Sequence, residues 1–362
     1  MSVPVRPAIA ELAAYKPGRS AADLARELGL SQAIKLASNE VAYPPLPSVV
    51  AAIAEAACGI NRYPDNGSLE LTSALSQRFD LPVESIAVGC GSVSLCQQLL
   101  QSYTGPGDEV LTAWRSFEAY PLLVAVAGAT LRPVPLREQT HDPDAMLAAV
   151  NDTTRVMFIC NPNNPTGTAL GTAAMKSLLD AVAPDILVVI DEAYREFCDE
   201  PEIPDGRELM RGRRNVCVLR TFSKAYGLAG LRVGYLLSDN PEIATAVRKT
   251  YVPFSVSTLA QVAALASLSA DAEMRERCAA VVSERRRVSG ALAALGLPVP
   301  RSHANFVWLP LGDDTADFAA FCEARGVIVR PFAGDGARVT IGQPQENDAL
   351  LSAVTAWRAQ GD

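Results

Sequence analysis

Of 362 residues only two are histidine and five are lysine, against 27 arginines. Two isolated histidines, His141 and His303, are too few for a metal centre, and no metal is expected. The eight cysteines are scattered and form no CxxC pair. Most lie in apolar contexts such as VMFIC and NVCVL, where a thiol behaves as a small core residue, and reduced thiols suit a cytoplasmic protein. No run of about 18 apolar residues occurs, so no membrane span is expected. The opening MSVPVRPAIAEL lacks a basic stretch followed by an apolar one, so secretion is not expected either. With a net charge of −8 and no basic cluster, the chain has no electrostatic footprint for nucleic acid. Internal repeats and low-complexity tracts are absent.

What is present is ordinary globular composition, 49% hydrophobic and 20% charged, over a length that favours two lobes. Apolar, β-branched runs alternate with stretches of helical period, the signature of an α/β fold. The spacing predicts strands near 85–89, 109–112, 155–160, 185–190, 215–219 and 231–237, with helices over 68–79, 92–103 and 171–183. Continuous apolar runs such as ILVVI suit strands covered on both faces, as in a parallel sheet. From about 257 a long Ala-rich helical stretch to 295 is followed by short strand-like pieces at 304–309, 326–330 and 337–341, which reads as a smaller α+β lobe. The expected division is an arm with part of the small lobe over 1–45, a large domain over 46–256 and a small domain over 257–362.

Four features fall where ligands bind in such folds, beyond the carboxyl ends of strands. Asp191 closes the run DILVVI; a carboxylate there can keep a pyridine nitrogen protonated and make the ring an electron sink, with Tyr194 reaching the phenolic oxygen beside it. In LRTFSKAYGLAGLRVGY, Lys224 sits among small residues, where a partly desolvated amine beside cations becomes nucleophilic and can form a Schiff base. Ser223 and Arg232 in the same segment suit a phosphate. Gly91, Ser92 and Val93 open a helical pattern, which aims backbone N–H groups and the helix dipole at an anion; Ser92 also reads as a plain N-cap. Finally, NPNNPTGTAL makes a rigid turn after a strand, with Asn164 placed to donate to a ring oxygen.

With these motifs the chain resembles fold-type-I pyridoxal-phosphate enzymes of the histidinol-phosphate and aromatic aminotransferase group, from Tyr15-Lys16-Pro17-Gly18 to Arg338-Val339-Thr340-Ile341-Gly342. The resemblance implies a large domain with a mostly parallel sheet, a smaller α+β domain and pyridoxal 5'-phosphate carried on Lys224. It casts Asp191 as the partner of the pyridine nitrogen, Asn164 and Tyr194 as partners of the phenolic oxygen, and Gly91, Ser92, Ser223 and Arg232 as the phosphate cup. Tyr63 in NRYPD matches a tyrosine that reaches the neighbouring subunit's cofactor, which implies a homodimer with shared sites. Phe117, or else nearby Trp114, falls where an aromatic stacks on the ring. Arg338 in RVTIG matches the clamp on the substrate α-carboxylate, while Arg330, Tyr15 and Asn39 match further substrate-side positions.

Departures from the histidinol-phosphate pattern bear on the substrate. Asn39-Glu40-Val41-Ala42-Tyr43-Pro44 replaces the usual N-E-N-P-Y-G, Phe254 stands where tyrosine is common, and Trp114, Phe117 and Tyr120 crowd one stretch. An aromatic, hydroxyl-poor pocket suits a phenyl or indole ring better than a phosphate ester. The expectation is therefore transfer of an aromatic amino acid's amino group to 2-oxoglutarate, with histidinol phosphate as the alternative because Arg330 and Tyr15 are retained. A threonine-phosphate-type decarboxylase shares the same cofactor residues. A regulator domain is disfavoured, since barely 40 residues precede the large lobe and they form no basic segment.

Overall fold

A computed structural model describes residues 3–10, 12 and 19–360; Tyr15 lies outside the described residues. Among these, twelve strands form three sheets. Counting from the two-residue β1 (Ile34–Lys35), the large sheet holds β2 (Ile86–Gly89), β3 (Glu109–Trp114), β4 (Thr130–Pro135), β5 (Thr154–Cys160), β6 (Leu187–Asp191), β7 (Val216–Thr221) and β8 (Gly234–Ser238). Their order is β2-β8-β7-β6-β5-β3-β4, and only β8 runs antiparallel to its neighbours. The mostly parallel α/β architecture is as expected.

The apolar runs follow from burial on both faces. Along β5, Val156, Phe158 and Cys160 join one core cluster and Met157 and Ile159 the other; along β6, Leu187 and Val189 oppose Val188 and Ile190. Strand period two then places Asp191 on the side of Leu187 and Val189, toward the helix Ala119–Ala127. β4, TLRPVP, carried no strand signal because its two prolines argue against one. It is tolerated as an edge strand, paired only with β3. The expected strand 231–237 begins instead at Gly234, because Ala229–Leu231 forms a 3-10 turn and Arg232 adopts φ 59°.

The smaller sheet is antiparallel, with β9 (Phe306–Leu309), β11 (Arg330–Phe332) and β12 (Gly336–Thr340) in the order β11-β12-β9. β1 pairs in parallel with β10 (Val327–Ile328), so the segment near the start of the chain joins this region. The helical stretch 257–295 is two helices, Thr258–Ser269 and Asp271–Ala294, interrupted at Ala270. The first packs on Pro47–Ala56 and Leu69–Phe79. A boundary at 257 therefore separates a helix from the elements it packs against.

Candidate active site

The ends of β5, β6 and β7 lie side by side, with Cys160 opposite Asp191 and Asp191 opposite Leu219. Beyond this edge opens a cleft of about 340 Å³ whose walls come from four places: the strand ends, the segment 37–40, the loop after β3, and Arg330 and Arg338 of the small sheet. Asn39, Ser92, Val93, Phe117, Asn164, Asp191, Tyr194, Ser223, Lys224 and Arg232 all line it. Residues scattered over three hundred positions are thus gathered into one site.

Asp191 is 3% exposed. It accepts a 2.9 Å hydrogen bond from the Tyr120 hydroxyl and a 3.2 Å bond from the Ala193 N–H. Among the described residues no ion pair to it is found. Burial pushes its carboxyl up to about 6, with the Tyr120 bond pulling the other way. Such a carboxylate is poised for a cation that enters with a ligand.

Lys224 donates to the Ser38 carbonyl at 3.2 Å. Burial, and then the nearby guanidinium of Arg338, lowers its amine to about 8 from an ordinary 10.5. Arg338 is almost fully buried and is itself forked, Nη1 on Asn164 Oδ1 and Nη2 on the Ala37 carbonyl, both at 2.6 Å. Asn39, at φ 55°, donates to the Tyr194 hydroxyl at 3.0 Å and is fixed through Thr340 and Asn305.

The anion end is built from close backbone approaches. A Cβ at Gly234 would meet Ser92 N at 2.7 Å, and one at Gly91, whose φ is +77°, would meet Arg232 Nη2 at 2.6 Å. Gly91 therefore shapes this end from behind, without lining the cleft. Arg232 reaches Ser223 Oγ at 3.5 Å, and Ser223 Oγ accepts from Thr221 at 2.9 Å. Paired N-terminal helix donors, two hydroxyls and a guanidinium fit a phosphate. A nucleophilic amine, a buried carboxylate and this cup together fit pyridoxal 5'-phosphate.

Some expected positions fall elsewhere. Trp114 stacks with the Arg115 guanidinium and does not line the cleft, which leaves Phe117 as its aromatic wall. Tyr120, read as part of an aromatic pocket, turns inward to Asp191 and stacks on Phe158. Tyr63, expected to serve the neighbouring subunit's site and not its own, is 81% exposed and stacks on Phe254, both outside this chain's cleft.

Other participants carried little sequence signal. Glu118, paired with Arg330 at 3.0 Å, sits directly after Phe117 and belongs to no local motif. The carbonyls of Ala37 and Ser38 are backbone groups with no residue signature. Away from the cleft, Asp199, Glu200 and His303 approach one another closely enough to share an ion, but Arg285, Arg286 and Arg301 already pair with the two carboxylates.

The family described as aminotransferase class I and II matches residues 31–354. The chain is 55% identical over 354 residues to an aromatic amino acid aminotransferase of Thermobifida fusca, covering 98% of this chain and 97% of the relative. It is 57% identical over 359 residues to one of Mycobacteroides abscessus, covering 99% and 100%. Among solved structures, a histidinol-phosphate aminotransferase of Sinorhizobium meliloti in complex with pyridoxal-5'-phosphate superposes with a TM-score of 0.89 at 29% identity, covering 99% of this chain and 98% of that one.

Proposed function

Because the chain belongs to the class I and II aminotransferases, we propose that it moves the amino group of an aromatic amino acid to 2-oxoglutarate. The observation that carries the chemistry is the presence, in one cleft, of an amine of lowered basicity, Lys224, and the buried carboxylate Asp191. The substrate class is supported by relatives more than half identical over nearly their whole length and named for aromatic amino acids, against 29% for the histidinol-phosphate neighbour.

Pyridoxal 5'-phosphate, when bound, supplies a carbonyl that takes up amines and a ring that accepts the electrons released at the substrate Cα. The chain does the rest. Lys224 Nζ would hold the cofactor and, when free, would take the proton from the substrate Cα. Asp191 keeps the ring nitrogen protonated, which its site favours by withholding water from the carboxylate. Tyr194 and Asn164 would serve as partners of the phenolic oxygen, and Ser92, Ser223 and Arg232 would hold the phosphate. Arg338 orients the α-carboxylate, a task that suits its planar fork. Phe117 forms the apolar wall.

A homodimer with shared sites is part of this reading, supported by exposed apolar groups at Ile60, Tyr63, Leu69, Val252 and Phe254. Mixing Tyr63→Ala chains with Lys224→Ala chains should restore activity, since one site of the mixed dimer is intact; no recovery would refute shared sites. Eight free thiols suit the proposed cytoplasmic location. Among the described residues no helix is long and apolar enough to cross a membrane.

The deciding experiment is a donor panel of phenylalanine, tyrosine, tryptophan and histidinol phosphate with 2-oxoglutarate, following keto acid and glutamate. Phenylpyruvate from phenylalanine supports the reading. A preference for histidinol phosphate above about tenfold, roughly 1.4 kcal/mol, overturns the substrate choice. Carbon dioxide release from a phosphoamino acid without keto acid overturns transamination.

A further inference from the structure

We propose that Glu118 is a specificity-determining residue: it caps Arg330 and converts the far end of the cleft from an anion site into one for uncharged aromatic side chains. This rests on the aminotransferase reading and names what sets its substrate class.

Both residues line the cleft that holds Lys224. Arg330 Nε donates to Glu118 Oε2 at 3.2 Å, and Nη2 donates to Oε1 at 3.3 Å and to Oε2 at 3.0 Å. A guanidinium edge is the protein's natural receptor for a carboxylate or phosphate. Here a carboxylate of the same chain is seated on it.

The pair is not a loose surface contact. Both side chains are mostly covered, 17% and 29% exposed. Arg330 is fixed in β11, register-paired with Arg338 of β12. Glu118 ends a loop clamped to the same hairpin a second time: Arg115 Nε donates to Asp335 at 2.6 Å, and its guanidinium lies 5.3 Å from the Phe332 ring. Swinging the carboxylate away would give up its three hydrogen bonds to Arg330.

The consequence is electrostatic. With Glu118 in place the Arg330 end carries no net charge, and a phosphate dianion entering it must either face a carboxylate at contact distance or expel it. Between side chains mostly covered by protein that repulsion is screened less than in open water. A distal carboxylate, with a single charge, meets the same barrier in weaker form. A neutral ring meets no such barrier and lies against Phe117 and Val93, both in the wall.

The test compares wild type with Glu118→Gln as holoenzymes. The first half-reaction is followed by cofactor absorbance in single turnovers, so that no acceptor is involved, with phenylalanine and histidinol phosphate as donors. The variant should shift the ratio of efficiencies toward histidinol phosphate by at least tenfold, mainly through a lower concentration for half-maximal rate with that donor. Glu118→Asp, which keeps the charge, should retain the wild-type preference. If Glu118→Gln gives no folded protein, Glu118→Ala is read in the same way. Equal losses on both donors, as a merely structural role gives, overturn the proposal. A wild type that already prefers histidinol phosphate overturns the substrate reading itself; a wild type that prefers phenylalanine, with a ratio unmoved by the substitution, overturns only the role of Glu118.

Discussion

The Tyr120 hydroxyl and the Asp191 carboxylate, both buried, share a 2.9 Å hydrogen bond on one face of the large sheet. It softens, without cancelling, the burial that lifts Asp191 to about 6 from an ordinary 3.8. In the cofactor-free protein the raised value carries a definite sign. The stability it contributes is complete below 3.8 and is lost as pH rises through about 6. Asp191→Asn removes that loss. The cofactor-free variant should melt higher than wild type at pH 7–8 and equal to it below pH 4, while kcat falls by roughly 10²–10³ because an electrostatic partner of the reaction is gone. Melting curves against pH and steady-state rates check both halves; a variant less stable at every pH would refute the strain assigned to this site.

Lys224 carries the opposite sign. Its amine is lowered to about 8 from 10.5, first by burial and then by Arg338. The associated stability is present above 10.5 and lost as pH falls through about 8. In cofactor-free protein the rate of covalent capture of pyridoxal phosphate should therefore be half-maximal near pH 8. Arg338→Gln, by removing a cation, should move that midpoint upward. Lys224→Ala should leave no cofactor fixed after borohydride reduction, as read by intact mass, and lower kcat by at least about 10³-fold with circular dichroism unchanged. Covalent cofactor on the Ala variant would end the assignment.

Arg338 spends its two Nη groups on Asn164 and the Ala37 carbonyl, which set the plane of the guanidinium. Lysine in its place keeps a charge and loses that plane. For Arg338→Lys the efficiency with amino-acid donors should fall by about 1.5–3 kcal/mol, roughly 10- to 150-fold, and cofactor attachment should persist. A fall confined to kcat, with KM unchanged, would argue that Arg338 does not hold the substrate carboxylate.

Much of this was legible in sequence because the chemistry sits at the ends of strands that are apolar on both faces. DILVVI stopping at Asp191 announces both a strand and the residue that terminates it, and Lys224 to Arg232 is a single local motif. What stayed hidden depends on distance or direction. Glu118 and Arg330 are 212 residues apart, and nothing local marks either as the other's partner. Tyr120 and Phe117 look alike as aromatic neighbours. Three residues on, inside a helix, Tyr120 points into the sheet while Phe117 stays in the cleft wall. The Ala37 and Ser38 carbonyls have no side-chain signature, and in β4 proline argued locally against a strand that an edge position tolerates.

Directly after Asp191, Glu192 is buried and accepts two bonds from Arg220, at 2.9 and 2.7 Å, while Arg220 also reaches Asp205 at 2.6 Å. Glu192 further accepts from the Gly206 N–H at 2.6 Å. The network ties the end of β6 to β7 beneath the catalytic edge, and burial pushes the Glu192 carboxyl upward against the pull of Arg220. Removing Arg220 leaves the Glu192 and Asp205 carboxylates without their shared cation, so Arg220→Met should cost about 3–5 kcal/mol. Glu192→Gln combined with Arg220→Met should cost less than the sum of the two single changes, because the second removes the charge stranded by the first. Denaturant unfolding of the four proteins measures the coupling, and strict additivity would show that the pair does not act as a unit. If the network also positions Asp191, Arg220→Met should lower kcat while leaving KM nearly unchanged.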